Sequence, residues 1–262
     1  MLQSPYRDVR RQGIDLLSRS IQNPRARDVL CETFSRDLIT DEAEWIARIL
    51  AAATAYDPKV ATALTALARS GNFRAVAALS AMPDRTAAIE SLIVILEDAN
   101  VWHLARAEAA AALGTIGDER AIGPLTTALR SYETVASKRH YDVAIGAAKG
   151  LAALKRSNGI PALLTALDVA DELFRAAATR ALLELDIDSS AQEPLLRALT
   201  DAVESARRQA FEGDGSISIA TMRIQAYSAQ ALLKISNERT IVQTASSALD
   251  KAREFLRRHR LE

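Results

Sequence analysis

Chemistry in this chain would have to come from a short roster of side chains. Three histidines, His103, His140 and His259, are the obvious metal ligands or general bases, yet no two stand at a His-x-x-x-His or comparable spacing. Imidazole-bound metal needs such donors gathered on one face, so these read as isolated surface histidines and no metal is expected. Cys31 is the only cysteine. It can form neither an intrachain disulfide nor a thiolate zinc site and has no flanking signature of a nucleophile, so a buried or half-buried thiol is expected. Glu212, Asp214, Ser216 and Ser218 alternate around Gly213 and Gly215 and offer the oxygens that Ca²⁺ takes, but the EF-hand pattern is absent. An acidic loop is the expectation there. The run Gly114-Thr115-Ile116-Gly117 looks at first like a phosphate cradle. It lacks the Gly-Lys-Ser/Thr of a P-loop and the strand that should lead into it, so its glycines read as helix-end residues. No catalytic residue and no cofactor are expected.

Trp45 and Trp102 are the only tryptophans. Exposed, they would be anchors for a partner; their places near the starts of helices favour packing between repeats. Lys+Arg and Asp+Glu both total 33, so no global field draws in nucleic acid or an anionic surface. The cations are 27 Arg against six Lys. Arg suits bidentate recognition of carboxylate or phosphate, though uniform Arg preference reads more simply as compositional bias. Basic residues gather at the ends, as Arg7, Arg10 and Arg11 and as Lys251, Arg253, Arg257, Arg258 and Arg260. Polar ends are what an array of repeats requires where no neighbour covers it, so nucleic-acid binding is not expected. No run of about 18 uncharged apolar residues exists. No membrane span is expected, and a single cysteine suits a soluble chain in a reducing cytoplasm.

What would position any functional side chain is a set of helices. Hydrophobic residues make up 49% of the chain and aromatics only 5%, with Ala and Leu dominant, which favours helix-on-helix packing over sheet. The fold class is all-α. Sliding "RAIGPLTTAL" (120–129) forward by 38 positions lays it over "NGIPALLTAL" (158–167), with Leu113 and Ile116 over Leu151 and Leu154. Sliding it back by 34 lays Leu113, Ile116 and Asp118 over Leu79, Met82 and Asp84, and "ISNERTI" (235–241) echoes "IGDERAI" (116–122). A period of 30–40 residues marks a solenoid. The repeats fall near 4–40, 41–70, 72–98, 102–131, 139–168, 171–201 and 220–250, about seven helix pairs in one domain spanning 1–262.

Within a repeat, Ala105, Ala109, Ala112, Leu113 and Ile116 outline a first helix, and Ile122, Leu125 and Leu129 a second. Alanine lets axes approach, while Leu113, Leu129, Leu151, Leu167, Leu182 and Leu199 supply volume between pairs. Asp118, with Asp57, Asp84 and Asn237 in matching places, stands where a second helix begins and should accept bonds from its unpaired N–H groups. Pro124, Pro161 and Pro194 each come early in a second helix, where a missing N–H costs least. Two stretches break the period, 131–140 and 201–220, and insertions of this kind map to loops on one edge.

Asp-x-x-Ala-Ile at a helix start, Ala-Ala-x-Ala-Leu-Gly before it and a Leu-rich second helix make residues 103–130 resemble a HEAT repeat, in the short form also seen in phycobilisome lyases. Residues 139–201 are a fair match, and 1–98 and 220–250 agree mainly in period. The resemblance implies a right-handed α-α superhelix whose second helices line a concave surface that holds protein partners. Such arrays also serve as sensor ends of bacterial NACHT-type signalling NTPases, although no nucleotide-binding motif is present in this chain.

The expected function is that of a non-enzymatic scaffold or adaptor that holds a protein or peptide, free-standing or as a sensor portion of a larger signalling NTPase. Polar positions in second helices, Arg120, Thr127, Arg130, Thr165, Arg197 and Asp201, are the candidate binding residues. Two alternatives stand beside it. A bilin lyase subunit would need a tetrapyrrole pocket, for which only Tyr132 and Tyr141, flanking an insertion, suggest themselves. A DNA-binding or DNA-repair solenoid would need a basic groove, whereas the second-helix cations are interspersed with Glu119, Glu193 and Asp201.

Overall fold

A computed structural model of the chain describes residues 2–34, 40–51, 58–69, 72–131, 138–169, 171–212 and 217–259. Among them lie fourteen α-helices and no strand: α1 (Arg7–Ser18), α2 (Pro24–Phe34), α3 (Thr40–Ala51), α4 (Pro58–Arg69), α5 (Phe73–Ser80), α6 (Arg85–Glu97), α7 (His103–Ile116), α8 (Ile122–Arg130), α9 (Lys138–Leu154), α10 (Ile160–Thr165), α11 (Glu172–Glu184), α12 (Gln192–Glu212), α13 (Ile219–Ile235) and α14 (Arg239–Arg258). In chain order they make seven successive pairs. Asp57, Tyr132, Asp214 and Ser216, and most of the 131–140 insertion, lie outside the described residues.

The chain divides into two compact units, Met1–Pro124 and Leu125–Glu262. In the first, each helix packs on the next and on the next but one: α1 on α3, α3 on α5, α5 on α7, and α2 on α4, α4 on α6. That two-step contact is what a stack of pairs produces, because like helices of adjacent pairs lie side by side. Its core is Ile14, Leu30, Ile46, Leu50, Leu64, Leu79, Ile89, Leu92, Ile95 and Leu96, each at most 1% exposed. α6 is apolar on most of its circumference, burying Ala87, Ala88, Ile89, Leu92, Ile95 and Leu96, as a helix covered by neighbours on several sides must be.

In the second unit α11 packs against both α9 and α13, and α13 against α12 and α14. Leu151, Leu167, Leu182 and Leu199 are buried here, as Leu113 is in the first unit and Leu129 in α8. The second helices repeat one burial register. In 121–130, 159–168 and 191–200 the buried positions are the first, fifth, eighth and ninth of each ten, the apolar face of one helix. Residues 241–250 bury the same four. In the first half of the repeat, Ala105, Ala109, Ala110, Leu113 and Gly114 are buried, whereas Ala112 and Ile116 are only half-buried, as is Ile122 at the start of α8. The true stripe is therefore rotated slightly from the expected one.

Helix starts follow the expected chemistry with two changes. Asp84 Oδ1 accepts from the Thr86 and Ala87 N–H groups at 2.9 and 3.1 Å, and Asp118 Oδ1 from the Arg120 N–H at 2.9 Å. Asn72, Asp171 and Asp188 do the same for α5, α11 and the turn before α12. At α14 the cap position belongs to Glu238 rather than Asn237, and Ser236 Oγ receives the Glu238 N–H at 3.2 Å. The three prolines each follow a single 3₁₀ turn, Glu119–Ala121, Ser157–Gly159 or Ser189–Ala191, and sit within the first three residues of α8, α10 and α12. There the proline nitrogen occupies a place that has no helical acceptor.

Gly117 ends α7 at φ +83° with its N–H on Leu113 O at 3.3 Å, a left-handed closure that glycine makes without a Cβ clash. Gly114 is not part of that turn; it is a buried residue inside α7. Thirty-eight residues beyond Gly117, Lys155 closes α9 at φ +53° and is the only described non-glycine residue with positive φ.

The stretch 201–220 is not a loop insertion over most of its length. α12 runs unbroken to Glu212 because "DAVESARRQAFE" contains no Gly or Pro and supplies an apolar contact. Ala202 is buried with Ala176 of α11 and Ile224 of α13. Further along, Gln209 reaches Glu172 Oε1 at 3.3 Å and Thr221 Oγ1 at 3.4 Å, and accepts the Ser218 N–H at 2.7 Å. Gln209 thus ties the overlong end of α12 to the starts of both α11 and α13.

Candidate functional site

The residues picked out for chemistry are scattered. His103 begins α7 edge-on to Trp102, their rings 5.7 Å apart. His259 caps α14, stacked on Phe255 with centroids 4.2 Å apart and Nδ1 2.8 Å from Phe255 O. His140 is in α9. Among the described residues no group of three His, Cys, Asp or Glu is placed to hold a metal ion. Cys31 is buried in α2. Tyr141 packs on Phe174, centroids 6.2 Å apart, which makes it a core neighbour of the most voluminous fully buried side chain. Trp102 is 43% exposed and stands at the N-cap position of α7, with His103 across its edge.

Four of the arginines act as staples. Arg10 holds Glu42 through two bonds of 3.0 Å and donates from Nη1 to Ser4 O and Pro5 O at 2.8 and 2.9 Å. Arg27 donates to Ile21 O and Gln22 O, Arg85 to Ile116 O at 3.0 Å, and Arg106 to Leu96 O at 2.9 Å. Lys234 does the same to Leu183 O at 2.8 Å. Several of these acceptors are carbonyls at or just past a helix C-terminus, where no intrahelical donor remains and the dipole favours a cation. Half-burial of Arg106 pushes its guanidinium below the ordinary arginine value, with Asp98 opposing. Hydrogen bonds from the Arg120 side chain, then from its backbone N–H, hold Asp118 below the usual carboxylate range. Asp98 is lowered by the Asn100 N–H and by Arg69, and Asp188 by the Ser190 hydroxyl and N–H.

The six second-helix candidates are all exposed. Arg120 belongs to the turn before α8 and is committed to Asp118, with Glu90 at 3.9 Å. Thr127, Thr165 and Arg197 hold the same place in the burial register of α8, α10 and α12, the seventh of each ten. Thr165 returns its hydroxyl proton to Pro161 O at 3.0 Å. Arg197 lies 3.5 Å from Asp168, which holds the tenth place in the preceding repeat, as Arg130 does in α8. Asp201 follows one residue after the tenth place in α12. The structure therefore brings Thr165, Asp168, Arg197 and Asp201 onto the second helices of one unit.

A recessed feature of the second unit lies among its first helices instead. A trough of about 480 Å³ runs along α11, with Ala176, Ala177 and Ala181 as its floor. Ile145, Lys149 and Ala152 of α9 form one wall, and Ala220, Arg223 and Tyr227 of α13 the other. Leu173, Arg180 and Glu184 complete it. Sequence reasoning passed over this side because it sought polar residues in second helices. The available signal was the spacing of Ile145, Lys149 and Ala152, which puts a lysine in an otherwise apolar row of α9.

The stack of helix pairs defines an all-α repeat protein. Residues 105–131, which are α7 and α8 with the turn between them, match the family model described as "PBS lyase HEAT-like repeat". This one helix pair is therefore similar to a HEAT-like repeat. No curated protein matches. Among solved structures, two crystal structures of engineered proteins are similar. One is 19% identical, covering 85% of this chain and 97% of its own at a TM-score of 0.42. The other is 17% identical, covering 96% and 80% at 0.39. No described helix is long and apolar enough to cross a membrane.

Proposed function

We propose that the chain is a non-enzymatic protein-interaction module, in which exposed positions of successive second helices hold a protein or peptide partner. The observation that carries this reading is the recurring burial register of α8, α10 and α12. It leaves Thr127, Thr165 and Arg197 at one level and Arg130, Asp168 and Thr200 at the next, so a partner would meet a regular grid of polar side chains. Exposed pairs such as Arg197–Asp168 contribute about 0–1 kcal/mol to folding, so their residues are available to exchange partners at little cost. The repeat type is one that serves as an interaction module, and the match extends over a single helix pair. A chromophore-attaching reading draws no support from Tyr141, which is packed on Phe174. A DNA-embracing reading draws none from Arg10, Arg85, Arg106 or Arg120, whose donors are already engaged.

The test is capture of partners from a lysate of the source organism by the immobilised chain and by a Thr165→Arg/Arg197→Glu variant. A specifically retained protein should be lost at least tenfold from the variant while circular dichroism stays unchanged. Equal retention by both would remove the second-helix face as the binding surface.

A further inference from the structure

The trough on α11 is a different surface, and its argument does not rest on the second-helix reading. Neighbouring packed helices stand about 8–10 Å apart, so α9 and α13 flank α11 with roughly twice that between them. A helix with its side chains is about 10–12 Å across. Because Ala176, Ala177 and Ala181 end at Cβ, the middle helix recedes and leaves a seat about one helix wide. Eleven residue steps from Leu173 to Glu184 give the seat a length of about 16 Å, or three turns.

The chemistry of its rim is one-sided. Lys149 stands on the α9 wall, Arg223 on the α13 wall, and Arg180 rises from α11, against the single carboxylate of Glu184. That carboxylate is already bonded to Arg180 at 3.1 Å. Among the described residues no ion pair engages Lys149 or Arg223. Leu173 is an exposed large aliphatic side chain, at 60%, and Tyr227 presents an aromatic with a polar tip, a residue type favoured at interfaces. An apolar floor between two cationic walls is complementary to a helix with a small apolar stripe and acidic flanks.

We infer that the α9–α11–α13 trough docks a short, acidic, amphipathic helical segment of a partner protein. The apolar stripe would lie on Ala177 and against Leu173 and Tyr227, and its carboxylates would meet Lys149 and Arg223, with one able to take Arg180 from Glu184. The Arg180–Glu184 pair is exposed and exchanges readily with other charges.

The experiment uses the full chain and a phage-displayed pool of 14-residue peptides, with Leu and Ala fixed at i, i+3, i+4 and i+7 and Glu, Lys, Gln or Ser varied elsewhere. Acidic members should be enriched, and their recovery should drop at least tenfold on Lys149→Glu/Arg223→Glu and on Ala177→Trp, the latter filling the seat without touching charge. Both substitutions are at solvent-accessible positions, and circular dichroism would confirm the fold. Recovery should persist on Thr165→Arg/Arg197→Glu, which separates this site from the second-helix face. Enrichment of neutral or basic peptides, or equal recovery on the charge-reversed chain, would overturn the inference. So would displacement of selected peptides by a short oligonucleotide with steep salt dependence, since that would assign the cations to phosphate.

Discussion

Lys155 and Gly117 test whether the 38-residue repeat is physical or only textual. Both end the first helix of a pair in the left-handed region, at φ +53° and +83°. For an L-residue that conformation costs about 1–2 kcal/mol, and glycine is spared it. Glycine also gains more freedom in the unfolded chain, a loss of about 0.5–1 kcal/mol to folding. The Lys155 side chain is exposed and has no described bond that would be forfeited. Subtracting the second contribution from the first leaves about 0–1.5 kcal/mol, so Lys155→Gly should stabilise by an amount in that range. Gly117→Ala should destabilise by a similar amount, since its Cβ would meet no atom within 4 Å and backbone strain alone would act. Urea denaturation at constant m-value reads the difference. Because repeat arrays can open locally, exchange of the amides at the end of α9 gives an independent reading. If Lys155→Gly destabilised, or its α9 amides exchanged faster, the left-handed closure would not be the strained copy of Gly117.

Three further outcomes follow from the same geometry. The Glu42 side chain is 1% exposed and Arg10 is its cation, so Arg10→Ala should cost about 3–5 kcal/mol by stranding a buried charge, while Arg10→Met/Glu42→Leu should recover most of it; thermal melts of the single and double variants decide this. Asp84→Ala should cost about 1 kcal/mol as a lost cap, against about 2–5 kcal/mol for Leu113→Ala, whose side chain is fully buried, and chemical denaturation that reversed this order would contradict the division between caps and core. Asp118 has its folded pKa depressed by Arg120, so its contribution is present above the unfolded value near 4 and disappears as pH falls through the lower folded value. Compared with Asp118→Asn, the native chain should lose its advantage on acidification below about pH 4 and show none of that loss between pH 5 and 8.

The helices were legible because their signals are local. Leu113, Leu129, Leu151, Leu167, Leu182 and Leu199 recur with the helix pairs, and all six are buried; Asp84 and Asp118 announce helix starts in the residue type that can satisfy orphan N–H groups. The start of α14 was misplaced by one residue because Asn237 and Glu238 are adjacent polar residues, and only backbone geometry distinguishes which of them is the cap. The length of α12 was hidden for another reason. A break in the period reads as an insertion, but nothing in "DAVESARRQAFE" breaks a helix, and the reward for continuing it, burial of Ala202 on Ala176 and Ile224, comes from residues 26 and 22 positions away. The trough was illegible for the same cause: Lys149, Arg180 and Arg223 lie on three helices, and only packing of α11 between α9 and α13 makes them neighbours.

The arginine excess can then be divided by what each guanidinium touches. In the first unit Arg10, Arg27, Arg85 and Arg106 spend their donors on backbone carbonyls or a buried carboxylate. A Lys in such a place would supply a point charge where a fork with several donors is required. Those residues are bound into the fold, and replacing them would perturb stability before binding. In the second unit Lys149, Arg180 and Arg223 surround a recessed apolar floor and have one carboxylate among them. Cations left with donors to spare beside exposed Leu173 do little for the folded chain alone, so reversing Lys149 and Arg223 should change what the protein holds with little change in how well it folds.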